Sequence, residues 1–263
     1  MTWFLDAALV AGAVGAGVSA FVPQLIAAVP EPAPDPEPEL DPLQPAEDEA
    51  DFARPIDEPK ELYADVAALP GLRWKCAVAG AVAAGLLGAR IGWNPALLFL
   101  VYLVPVCIAL SVVDWRTRYL PTRLIAPSYA VVGVLVVLAS LLTGDWEALK
   151  VSVIGWLASF GLYFLLWFLL PRGMSYGDVR LAGVLGMALG WLGVGPLVLG
   201  IYTGFLLGGI GGLLLSVLRI FHRKHYPFGP FMVLGAWLAA GLTTQLGAAY
   251  GAVVTGLVSL LGG

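Results

Sequence analysis

Acid is what most of this chain lacks. From Leu72 to the C-terminus only Asp114, Asp145, Glu147 and Asp178 carry a carboxylate side chain. Charged residues of all kinds make up 12% of the sequence, against 59% hydrophobic, whereas soluble domains are about a quarter charged. That shortage excludes an ordinary water-soluble domain and fits a chain that crosses a bilayer many times. Cysteine is almost missing too. Cys76 and Cys107 lie in or beside different apolar runs and form no CxxC pair, so no structural zinc site is expected and buried, inert thiols are. His222 and His225 have no carboxylate or cysteine near them in sequence, so no metal is expected there either. The longest non-apolar stretch is acidic, the wrong sign for binding nucleic acid.

What is abundant is apolar sequence in long runs. Eight can be drawn, at about 3–29, 74–92, 95–113, 124–142, 151–170, 181–195, 196–218 and 231–261. Each is expected to be a helix, because lipid offers no partner to an unpaired backbone N–H or C=O. The fold class is therefore all-α: a polytopic membrane bundle of about eight transmembrane helices. Residues 1–29 read as a retained first span rather than a cleaved signal peptide, since no basic residue precedes the apolar run. Residues 30–73 read as a loop and 74–263 as the membrane-embedded domain. The sixth run is short and rich in glycine, and the last is long enough to tilt or break near Gly247.

Charge then sets the orientation. With the N-terminus outside, the loops 30–73, 114–123, 171–180 and 219–230, with Lys75 at their edge, hold twelve of the fourteen Lys and Arg residues. Only Arg90 and Lys150 fall on the other side. This is the positive-inside pattern, and it makes those loops cytoplasmic. Residues 31–65 hold thirteen acids against Arg54 and Lys60, a net charge of about −11, and alternate proline through Pro30, Pro32, Pro34, Pro36 and Pro38. Such a segment is extended and solvated, with a short helix expected near the membrane within 56–72. The basic run from Arg219 to His225 reads as a topogenic loop facing anionic headgroups.

Asp114 and Asp178 stand out against this background. Asp145 and Glu147 share a polar loop, but these two sit at the margins of apolar runs, at one depth on the cytoplasmic side. Ionisable groups at such margins are costly and are functional suspects by default. The first lies in Asp114-Trp115-Arg116-Thr117-Arg118-Tyr119-Leu120-Pro121, the second in Gly173-Met174-Ser175-Tyr176-Gly177-Asp178-Val179-Arg180-Leu181. Gly177 would let another chain approach the carboxylate closely, and Asp178 would lie near the positive end of the sixth helix. Plainer uses exist: Asp178 as a helix N-cap, and Asp114 paired with Arg116 or Arg118.

These segments resemble those of the type IV prepilin peptidases, membrane aspartic proteases of the GxGD class. The resemblance runs over most of 74–235 and has a third element, Pro227-Phe228-Gly229-Pro230-Phe231. It implies Asp114 and Asp178 as the catalytic pair, with Ser175, Tyr176, Gly177, Arg180, Leu120 and Pro121 as supporting residues. It implies cleavage of the leader of a prepilin or pseudopilin at the cytoplasmic face of the bacterial inner membrane, without cofactor. Many members also methylate the new N-terminus with S-adenosylmethionine, and those carry two CxxC pairs in the large loop. Here that loop has no cysteine, and Ser175 replaces the first glycine of the GxGD pattern. Two carboxylates that meet share a proton, one activating water while the other polarises the scissile carbonyl. The alternatives are a proton- or cation-coupled transporter using the same acids, or a non-catalytic assembly platform. Oligomeric state is not encoded in any of these features.

Overall fold

The computed structural model describes residues 4–31, 61–169, 174–217 and 227–242. Ten helices cover the described residues: α1 (Leu5–Ser19), α2 (Val22–Ala27), α3 (Tyr63–Ala67), α4 (Leu72–Ile91), α5 (Ala96–Thr117), α6 (Thr122–Thr143), α7 (Trp146–Leu169), α8 (Tyr176–Leu192), α9 (Val194–Val217) and α10 (Gly229–Gly241). Among them six membrane-length apolar segments stand out. The first, Leu5–Ala27, is α1 and α2 together. It breaks at Ala20 and Phe21, just ahead of Pro23, whose ring has no N–H to continue a helical ladder. α8 has 17 residues and starts earlier than the run expected at 181–195, and α10 has 13 up to the point where the described residues end. The acidic stretch 32–60, the basic run Arg219 to His225 and the final run beyond 242, Gly247 included, lie outside the described residues.

Small residues decide how the helices pair. Without a hydrophobic force between apolar helices in lipid, association rests on close packing and interhelical hydrogen bonds. α1 meets α4 where Gly15 lies over Gly80, so close that a methyl group on Gly15 would sit 2.5 Å from the Gly80 carbonyl oxygen. α7 meets α8 in the same way through Gly155, Gly186 and Gly190. Side-chain hydroxyls fasten these layers: Ser152 Oγ donates to the Met187 carbonyl at 2.7 Å, and Trp191 Nε1 donates to Ser140 Oγ at 2.9 Å. α5 is the central helix, with Phe99, Leu103, Val104, Leu110 and Val113 all buried. Leucine, valine and tryptophan side chains left exposed on α4, α6 and α7 form the face offered to lipid.

The expected short helix after the acidic stretch is α3, five residues long. Tyr63 and Val66 bury it against the bundle. Glu31 accepts from the Ala64 amide at 3.1 Å, and Glu61 pairs with Arg116 at 2.7 Å. The two ends of the acidic stretch are thus held beside the end of α5.

Candidate functional site

Asp114 sits in the last turn of α5, which runs further than the apolar pattern suggests and closes at Arg118 in a left-handed conformation (φ 55°). The Arg118 amide donates back to the Asp114 carbonyl at 2.8 Å. Arg116 pairs with Glu61 rather than with Asp114, whose side chain is 4% exposed. Asp114 Oδ2 instead accepts from the Gly229 amide at 2.9 Å. Gly229 opens α10, where the first N–H groups have no partner inside the helix. The carboxylate on one helix end therefore satisfies the open donor of another.

Asp178 is 3% exposed and lies within the first turn of α8. It is not the N-cap. Ser175 takes that place, with its backbone extended at φ −83° and ψ 154°. Ser175 Oγ accepts from the Asp178 amide at 3.2 Å and donates to Asp178 Oδ2 at 2.8 Å, while the Ser175 amide donates to the same Oδ2 at 2.8 Å. This is a capping box with Asp in the third position. The departure at Ser175 is thereby explained: the position needs no left-handed backbone, and a hydroxyl there performs a capping role that glycine would not. The second oxygen, Asp178 Oδ1, is buried and accepts no hydrogen bond among the described residues.

Three segments distant in sequence converge here. Leu120 is 2% exposed and fills the space between the other two. A methyl group on Gly177 would lie 2.6 Å from Leu120 Cβ, and one on Gly229 would lie 2.9 Å from Asp114 Oδ2 and 3.4 Å from Leu120 Cδ2. Gly177 is thus required by close approach, while Gly229 faces a side-chain end that can turn. Pro121, buried and extended, turns the chain from α5 into α6. Leu120 touches both Gly177, next to Asp178, and Gly229, whose amide binds Asp114, so the two carboxylates flank one shared contact.

Arg180 points elsewhere. Two residues on from Asp178 in a helix, it lies on nearly the opposite face. Its guanidinium stacks 4.4 Å from the Tyr176 ring and donates to Thr122 Oγ1, while its carbonyl accepts from Tyr129 at 2.7 Å. Tyr176 also packs on Trp167, with ring centroids 5.1 Å apart. Arg180 and Tyr176 therefore brace the start of α8 against α6 and α7 rather than lining the acid pair. Gly173 lies outside the described residues. Two participants escaped the reading of the sequence. The Gly229 amide was visible only as part of a turn, and Tyr163 on α7, 2% exposed and packed beside Phe228, carried no motif at all.

The fold and site define a helical membrane protein with a buried carboxylate pair at one end of its bundle. The sequence model of the type IV leader peptidase family matches residues 101–218, a segment that contains both aspartates. The prepilin leader peptidase/N-methyltransferase of Aeromonas salmonicida (strain A449) is 36% identical over 157 residues, 56% of this chain and 50% of that protein. The corresponding protein of Stutzerimonas stutzeri is 29% identical over 182 residues, 64% of this chain and 59% of its own length. That of Neisseria gonorrhoeae is 29% identical over 159 residues. The chain spans about half the length of the curated relatives it matches. No solved structure matches it.

Proposed function

We propose that this protein is a membrane aspartic endopeptidase that removes the leader of type IV prepilins or pseudopilins, with Asp114 and Asp178 as its catalytic pair. One observation carries the reading: the three motif segments meet around two buried carboxylates. Gly229, Leu120 and Gly177 are each fitted to that meeting. The match to the leader peptidase family over 101–218 supports it.

In the proposed reaction one carboxylate is ionised and takes a proton from water. The water oxygen attacks the scissile carbonyl carbon, and the protonated partner donates to the carbonyl oxygen. Collapse of the tetrahedral diol then passes a hydroxyl proton back to the now ionised partner, while the other carboxyl gives the proton it took from water to the leaving nitrogen as the C–N bond breaks. The substrate's apolar helix lies beside the bundle, and its leader reaches the site from the cytoplasm. That geometry follows from the proposed orientation, with the N-terminus outside the bacterial inner membrane. A transporter would use acids near the midplane, whereas both of these lie at helix ends. We do not extend N-methylation to this chain, because the loop 30–73 contains no cysteine.

The test is cleavage of a purified prepilin in proteoliposomes. Asp114→Asn and Asp178→Asn should each lower kcat by at least about 100-fold, the usual contribution of a general acid or base. Full cleavage by either variant would overturn the two-aspartate mechanism. The rate should also show a bell-shaped dependence on pH. It falls on the acid side as the base takes up a proton, and on the alkaline side as the acid loses its own.

A further inference from the structure

The face of α8 that carries Asp178 continues inward through Ala182, Leu185 and Leu189, at spacings that keep them in one row. Beneath Asp178 this row borders a half-open cavity of about 20 Å³ walled by α7, α8, α9 and α10. Ser159, Tyr163, Gly186, Gly200 and Met232 complete its walls. That volume is enough for one water molecule, which needs at least about 10–15 Å³. The lining is mostly apolar, but Ser159 and Tyr163, one helical turn apart on α7, each bring a hydroxyl-bearing side chain to it. Ser159 is 1% exposed, and its Oγ has no hydrogen-bond partner among the described residues. Tyr163 is held by stacking on Phe205, with centroids 4.8 Å apart, and by contact with Phe228. Phe228 in turn immediately precedes the Gly229 amide that binds Asp114. At the top of this column lies Asp178 Oδ1, likewise buried and unpartnered.

A buried hydroxyl left without a partner costs about 1–3 kcal/mol. Lipid cannot supply one, and the helices here do not. Glycine at 186 and 200 keeps the space open, for a methyl group on Gly186 would sit against Ser159 Oγ and one on Gly200 would sit against Leu189. We propose that this cavity is an internal hydration site. It holds one water between Ser159 Oγ and the Tyr163 hydroxyl and supplies water to the side of Asp178 that faces the membrane interior. The supply role rests on the peptidase reading above; the hydration itself does not. Water is the second substrate of a hydrolysis, and this column provides it from within when a substrate helix covers the cytoplasmic approach.

The experiment is hydroxyl-radical footprinting by brief X-ray irradiation of the full-length protein in lipid nanodiscs, without substrate. Radicals form from bound water, so a side chain beside water is oxidised even when shielded from bulk solvent. Met232, 3% exposed and in the cavity wall, is the reporter. Cys107, 1% exposed and remote from the cavity, is the dry control. Met232 should be oxidised well above the Cys107 level, and Ser159→Ala should lower that oxidation about fivefold, matching the loss of one hydrogen bond of about 1 kcal/mol. Met232 oxidised no faster than Cys107 in the unaltered protein would overturn the hydration site while leaving cleavage and the aspartate variants as they are. With hydration established, Ser159→Ala should also lower kcat several-fold at unchanged KM. An unchanged kcat would overturn the supply role.

Discussion

At Leu120 and Gly177 one atom decides what is tolerated. A methyl group on Gly177 would lie 2.6 Å from Leu120 Cβ and 3.3 Å from the Leu120 carbonyl oxygen. Neither of those atoms can swing aside, so Gly177→Ala must move the start of α8 and Asp178 with it. Misplacement of a reacting group by about 1 Å can cost about 100-fold in rate, and that is the loss expected in kcat for Gly177→Ala. Adding Leu120→Ala should not restore activity, because the obstructing Cβ stays in place. Recovery in that double variant would show that the contact is made by the outer leucine carbons instead. Gly229→Ala meets Asp114 Oδ2, the end of a side chain able to turn, so its effect should be smaller, about tenfold. The aspartates were legible in the sequence because acid is so scarce beyond Leu72. The wedge of Leu120 between Gly177 and Gly229 was not, because it is a property of three segments meeting in space. Each segment alone announces only a turn or a close approach.

At the scale of the element, the start of α8 shows why a cap is hard to assign from type alone. Asp and Ser are both favoured caps, and two of them three residues apart leave the choice open. Structure resolves it by reach: Ser175, one position before the helix, bonds the Asp178 amide, and Asp178 reaches back to the Ser175 amide. Ser175→Ala should therefore cost about 1 kcal/mol, and Ser175→Gly only a few tenths, read as the shift in an unfolding curve in mixed detergent. Cleavage should fall more for the alanine variant than for glycine in either case, because Asp178 Oδ2 loses a donor in both but the cap fails fully in the first. The helix pairs were partly legible too. Thirty-three glycines pointed to close contacts in lipid, but not to which helices share them. Gly155→Ala would force a methyl group against the Gly186 carbonyl oxygen. Overpacking of that kind costs about 1–3 kcal/mol, and the same unfolding assay should show it. The Glu61–Arg116 pair is different, with side chains 42% and 39% exposed. Glu61→Gln should change stability by no more than about 1 kcal/mol.

For the whole molecule, the segregation of charge is the strongest long-range signal in the sequence. It organises the helix ends without specifying any contact between them. The acid pair lies at the end of the bundle that also carries Arg116, Arg118, Arg123 and Arg180, while Asp145, Glu147 and Lys150 mark the turn between α6 and α7 at the other end. A cytoplasmic substrate leader can reach Asp114 and Asp178 only if the first of these ends faces inward, so the proposed function and the proposed orientation stand together. The native thiols make this testable. Cys76 and Cys107 are 2% and 1% exposed, so the unaltered protein should react little with a membrane-impermeant maleimide. Asp145→Cys and Arg123→Cys each place a thiol at an exposed position, on opposite ends of α6. In spheroplasts the first should be labelled directly and the second only after permeabilisation. The reverse pattern would put the carboxylate pair on the outer face. Cleavage would then have to occur where a cytoplasmic leader cannot reach, and the proposed substrate would have to be given up with the orientation.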